Sequence, residues 1–135
     1  MLFKTDELQQ FADQIKAGKV GLFPFDTLLG ITSLVTPDTI QRVQAIKQRK
    51  ELPFIVLLPS MDYLADWTTG LSAAKLAFIT QYWPGPVTFI CPKHAQVPGE
   101  LTQQLDTIAL RVPGYTPVMF LLQAIGAPII STSAN

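Results

Sequence analysis

Phe54-Ile55-Val56-Leu57-Leu58 is an unbroken apolar run with the length of a strand buried on both faces. Its flanks decide the fold. Upstream, Thr36-Pro37 reads as a helix start, a capping hydroxyl followed by proline at the first helical position. Ile40, Val43 and Ile46 give that helix its apolar face. Downstream, Leu76, Ile79 and Trp83 mark another helix, stopped at Pro84-Gly85-Pro86, which cannot continue it. A buried strand set between helices argues for an α/β sheet with covering helices.

The same alternation runs to both ends. Leu8, Phe11, Ala12 and Ile15 fall at i, i+3, i+4 and i+7, one face of a helix. Thr5 can cap its start, Asp6 and Glu7 suit its positive end, and Gly18 marks its stop. Val20 to Phe23 reads as a short strand closed by Pro24, Val87 to Cys91 as another, and Ile108 to Val112 as a third. Thr116-Pro117 repeats the cap-plus-proline start, Gly126 ends that helix, and Pro128 to Ser131 is a last strand. No repeat, low-complexity tract or linker interrupts the chain, so residues 1–135 are expected to form a single domain.

Composition narrows the function classes. Of the 135 residues 48% are hydrophobic and 15% charged, enough apolar material for a core. Ten basic and ten acidic side chains balance to a formal charge of zero, which leaves no large basic footprint for nucleic acid. Anion binding must therefore come from local clusters. Cys91 is the only cysteine, so no intramolecular disulfide forms, and its apolar strand setting reads as a small buried hydrophobe. His94 is alone, which argues against a structural zinc site. The N-terminus carries Asp6 and Glu7 where a signal peptide needs an apolar run, and no stretch of 18 apolar residues exists. A cytoplasmic protein is the expectation.

Four polar clusters fall at element ends, where α/β sheets bind ligands. They are Asp26 and Thr27 after the first strand, Lys47-Gln48-Arg49-Lys50 at the end of a helix, Arg111 within an apolar strand, and Ser131-Thr132-Ser133-Ala134-Asn135 after the last strand. Each has a plain structural alternative. Cations at a helix C-terminus favour the dipole, and Asp, Ser and Thr are turn and cap residues. A buried Arg111 needs an anionic or carbonyl partner, which a structural group or a ligand could supply. Together the cations, hydroxyls and amide describe a site for a small anionic ligand.

At these residues the chain resembles the YrdC/Sua5 family. Pro24-Phe25-Asp26-Thr27-Leu28-Leu29-Gly30-Ile31 is similar to the family's P-T-D-T-x-Y-G-L, and Lys47-Gln48-Arg49 to its K-x-R. Trp83-Pro84-Gly85-Pro86-Val87-Thr88-Phe89 matches W-P-G-P-x-T-x, Arg111-Val112-Pro113 matches R-x-P, and Ser131 to Asn135 matches S-T-S-A-N. The resemblance implies a twisted mixed sheet around a wide, positively lined open cavity. It also implies a reaction in which L-threonine, bicarbonate and ATP, accompanied by magnesium, give threonylcarbamoyl-adenylate and pyrophosphate. Other proteins then pass the threonylcarbamoyl group to transfer RNA. Lys47, Arg49, Ser133 and Asn135 would act on the nucleotide and the carbonate-derived group, with Asp26, Thr27, Arg111, Ser131 and Thr132 on threonine. No tightly bound cofactor or protein metal site is implied. The alternative is a catalytically impaired relative that binds a nucleotide, transfer RNA or double-stranded RNA.

Three departures bear on this. Phe25 stands where the family has threonine, removing a donor and adding bulk. Leu29 replaces an aromatic residue, and the segment Lys50-Glu51-Leu52-Pro53 is one residue shorter than the family's. The family continues beyond S-T-S-A-N with a phosphate-contacting segment. The resemblance thus leads one to expect weakened ATP binding here, and a homodimer through an uncovered edge or the open cavity.

Overall fold

A computed structural model describes residues 4–26, 28–48 and 54–134. In chain order the elements are α1 (Thr5–Lys16), β1 (Gly21–Pro24), β2 (Leu29–Leu34), α2 (Pro37–Lys47), β3 (Ile55–Leu57), α3 (Leu64–Trp67), α4 (Ala73–Thr80), β4 (Phe89–Pro92), β5 (Thr107–Arg111), α5 (Thr116–Ile125) and β6 (Ile129–Ser133). Single 3₁₀ turns at Met61–Tyr63 and Gly99–Thr102 complete the path. Among the described residues the strands form one sheet in the order β1-β2-β6-β3-β5-β4. Only the β3–β5 pair is parallel. The expected mixed α/β sheet is what forms.

Period-two alternation along the strands splits the core into two layers. Leu57 and Ile129 face α1 and α5, packing with Leu8, Ala12, Ile15, Val118, Leu121 and Leu122. Val56, Ile130, Ile108 and Leu110 face the opposite way, against Ile40 and Val43 of α2, Leu64, Ile79 and Trp83. The apolar run Phe54–Leu58 feeds both layers, with Phe54, Val56 and Leu58 in one and Ile55 and Leu57 in the other. That double burial is why it shows no polar alternation.

The helix starts divide between success and correction. Thr36 caps α2 as expected: its hydroxyl accepts from the Thr39 N–H at 3.1 Å, and the Thr39 hydroxyl accepts from the Thr36 N–H at 3.0 Å. Thr5 does not cap α1; it is the first helical residue, preceded by Lys4, with no side-chain cap bond. Thr116 likewise lies inside α5, whose cap is Tyr115. Trp83 falls beyond the end of α4, and its indole N–H donates to the Val87 carbonyl at 2.7 Å. That bond holds Val87 in a loop, so β4 begins two residues later than expected, at Phe89. Ile46, expected on the buried face of α2, is 56% exposed.

The sequence reading has no strand at Leu29–Leu34, yet β2 pairs with both β1 and β6. Gly30, Thr32 and Ser33 break its apolar pattern. Thr32 and Ser33 are nevertheless fully buried, because the Thr32 hydroxyl donates to the Ile130 carbonyl at 2.7 Å and the Ser33 hydroxyl to the Leu34 carbonyl at 2.9 Å.

Candidate active site

The register sets the site. Ile55 pairs with Ser131, Leu57 pairs with Arg111, and Gly30 pairs with Ser133. Since Ile55 and Leu57 belong to the α1/α5 face, Gly30, Ser131, Ser133 and Arg111 share that face. A cleft of about 190 Å³ opens there, lined by Arg111, Ser131, Thr132 and Ser133 together with Ile55, Leu57 and Gly30. Phe25, Leu28 and Leu29 form one wall, and Pro86 and Thr88 another. Positions as far apart in sequence as Phe25 and Ser133 thus meet over one patch of sheet.

Arg111 is the hub. Its side chain is 8% exposed. Its Nε donates to the Gly85 carbonyl at 2.7 Å, and its Nη2 donates to Asp26 Oδ2 in an ion pair. The sequence demanded an anion or a carbonyl; the fold supplies both. The two bonds tie the turn between β1 and β2 to the Trp83–Pro86 turn across the end of β5. The Gly85 N–H donates to the Val112 carbonyl at 2.9 Å, docking that turn a second time. Gly85 itself is required by close approach, because a Cβ there would lie 2.4 Å from the Tyr82 carbonyl oxygen.

The other expected residues distribute as follows. Asp26 is not among the residues that line the cleft and meets the site through Arg111, on which it spends one carboxylate oxygen. Ser131, Thr132 and Ser133 lie within β6 rather than beyond it, and all three line the cleft. Lys47 closes α2, and its ammonium donates to the Ser133 carbonyl, which brings Lys47 to the far end of the same strand. Thr27, Arg49, Lys50 and Asn135 lie outside the described residues. Among those described, Arg111 is the cleft's one lining cation, and Asp26 offsets its charge.

Two contributors, Gly85 and Leu28, were not assigned by sequence, whereas Phe25 was marked there as the bulky replacement of a family threonine. The Gly85 carbonyl acts through its backbone, so no side-chain chemistry signals it. Leu28 is an exposed apolar residue at a turn, placed against the cleft only by the fold. The Phe25 ring lies 5.3 Å from that of Phe23 and covers Gly30, where a Cβ would come within 2.6 Å of it. The glycine makes room for the phenyl ring.

Among the described residues no cysteine or histidine lines the cleft. Cys91 is buried in the opposite layer, and burial pushes its thiol up from its ordinary range, with a Thr68 hydrogen bond offsetting part of the shift. Among the described residues no group of three or more His, Cys, Asp or Glu could hold a metal ion, and no helix is long and apolar enough to cross a membrane.

Comparison with known proteins adds the following. The family model Sua5_yciO_yrdC, described as telomere recombination, matches residues 13–135. The chain is 32% identical over 134 residues to a threonylcarbamoyl-AMP synthase of Vibrio parahaemolyticus, covering 96% of this chain and 72% of that protein. It is 33% identical over 135 residues to a threonylcarbamoyl-AMP synthase of Xanthomonas campestris, covering 97% and 72%. Among solved structures, P. abyssi Sua5 complexed with L-threonine superposes with a TM-score of 0.91 at 27% identity, over 100% of this chain and 40% of that one. The fold of E. coli YciO is also shared, with a TM-score of 0.83 at 23% identity, over 96% of this chain and 64% of the other. The chain thus spans less than two thirds of either solved neighbour's length.

Proposed function

The chain belongs to the Sua5/YciO/YrdC family, and on that premise we propose that it makes threonylcarbamoyl-AMP from L-threonine, bicarbonate and ATP. One observation carries the reading: a buried arginine and three hydroxyl-bearing residues share a cleft the size of a single amino acid, with Lys47 bonded to the same strand. At about 190 Å³ the cleft falls below the roughly 300–1,000 Å³ of pockets for drug-sized ligands. It suits threonine and leaves the nucleotide to the Lys47 end.

In the proposed reaction the threonine nitrogen, as the free amine, attacks the carbon of bicarbonate, the C–OH bond breaks, and water leaves with the proton lost from nitrogen to give a carbamate. A carbamate oxygen then attacks the α-phosphorus of ATP and pyrophosphate leaves. Negative charge builds on oxygen in both steps, and fixed cations and N–H or O–H donors stabilise it without reorganising. Arg111 would orient the threonine carboxylate, with the β6 hydroxyls as hydrogen-bond donors. Lys47, with Arg49 by resemblance, would neutralise phosphate, and Asn135, also by resemblance, would donate a hydrogen bond to it. Holding the three reactants together removes much of the entropic barrier. Magnesium would ride on the nucleotide's phosphates and keep most of its own waters. The product's consumer would be another protein that acts on transfer RNA.

The reading divides the site into two halves, and calorimetry tests the division. Lys47→Ala is expected to weaken ATP binding by about 10-fold or more, the range of a charge-assisted contact, and threonine binding by less than about 3-fold. Equal losses for both ligands, or none for ATP, would place Lys47 outside the nucleotide half.

A further inference from the structure

We infer that Trp83 is a positioning residue for the cleft: its indole N–H, reaching from the opposite layer of the core, fixes the wall segment Pro86-Val87-Thr88. The inference rests on reading the cleft as the reaction site, and it gives a part to a residue that does not line it.

Pro86 and Thr88 line the cleft, and Val87 between them does not. The three residues belong to no helix or strand. Before them, Gly85 is docked through its N–H on the Val112 carbonyl and its carbonyl on Arg111 Nε. After them, Phe89 pairs with Leu110 in the sheet. Among the described residues the one hydrogen bond to the segment itself is that of the Trp83 indole N–H on the Val87 carbonyl, at 2.7 Å.

Trp83 is itself firmly held. It is 5% exposed, within the layer of Val56, Ile108 and Leu110. Its backbone N–H donates to the Ile79 carbonyl at 3.2 Å, and its ring meets that of Phe89 edge-on with centroids 5.4 Å apart. A buried indole needs an acceptor wherever it lies. Here the acceptor is the middle carbonyl of a wall that has no ladder of its own. The bond draws Val87 toward the core while Thr88, on the other side of the chain from Phe89, faces the cleft. Gly85 directly precedes the segment, so a shift of the wall would also move the acceptor that orients the Arg111 fork.

Two variants test this. Trp83→3-benzothienylalanine puts sulfur where the N–H was and keeps the size of the ring; Trp83→Phe removes the N–H with part of the ring. In the first, the KM for threonine in pyrophosphate release is expected to rise about 5- to 10-fold, the range of a neutral hydrogen bond. The KM for ATP, assigned to the Lys47 end, should stay within about 2-fold. In amide hydrogen exchange of the unliganded chain, the Gly85 amide should exchange about 5- to 10-fold faster, while that of Ile40, bonded to the Thr36 carbonyl, keeps its rate. Trp83→Phe should repeat both selective changes at a lower melting temperature. Unchanged Gly85 exchange, or an unchanged KM for threonine, in the benzothienyl variant overturns the inference. So does a parallel rise at Gly85 and Ile40 with both KM values held and only kcat reduced, the signature of a residue that serves stability alone. If the unaltered chain releases no pyrophosphate with threonine, the proposed reaction fails, and exchange alone decides the inference: selective acceleration at Gly85 upholds it and an unchanged rate overturns it.

Discussion

Arg111→Ala is expected to lower the threonine-dependent rate of adenylate formation by about 100-fold or more. The substitution removes the cation proposed to hold the threonine carboxylate, and it unties two walls of the cleft by deleting the bonds to Gly85 and Asp26. Truncating one partner of a buried, hydrogen-bonded charge pair costs about 2–5 kcal/mol, and each 1.4 kcal/mol is roughly tenfold in rate. Stability should fall less than for a fully buried pair, because Asp26 keeps 20% exposure and water can screen it. Arg111→Lys should not restore the rate. A compact ammonium cannot reach Gly85 and Asp26 from the two edges of a planar fork. Steady-state kinetics and thermal melts on the two variants measure both effects. Arg111→Lys at near-native rate would show that only the charge matters.

Leu121→Ala carries the largest expected effect on stability. Leu121 is fully buried in α5, in the layer formed with Leu8, Ala12 and Ile15 of α1. Deleting a buried leucine side chain costs about 2–5 kcal/mol in lost transfer energy and residual cavity. A melting temperature lower by about 10 °C is the expected result for a chain of this size. Met119, on the same helix but 41% exposed, is the control: Met119→Ala should stay within about 0.5 kcal/mol of the parent. Similar melts for the two variants would mean that the α1–α5 layer does not hold the fold together.

What the sequence disclosed follows from physics that acts locally. The Thr36-Pro37 start and the Phe54–Leu58 run were legible because capping and double burial leave their mark on neighbouring residues. β2 was not, because its buried hydroxyls are satisfied by carbonyls that only the folded sheet supplies. The site divides the same way. Arg111 stood out as a cation among apolar neighbours, and its need for a partner was plain. The identity of that partner was not, since Asp26 and Gly85 lie 85 and 26 residues away and meet it only through sheet topology and the Trp83–Pro86 turn. Asp26 was expected to touch substrate directly. Its bond to Arg111 gives it a second duty that residue type and spacing do not encode.

The central claim is the reaction, and the most direct test supplies all its reactants at once. The chain is incubated with L-threonine, bicarbonate and ATP, pyrophosphate release is followed, and the adenylate is identified by mass spectrometry. The account predicts pyrophosphate release that requires all three reactants, with threonylcarbamoyl-AMP formed in equal amount. Pyrophosphate release indifferent to threonine or bicarbonate, or none with all three present, would contradict it.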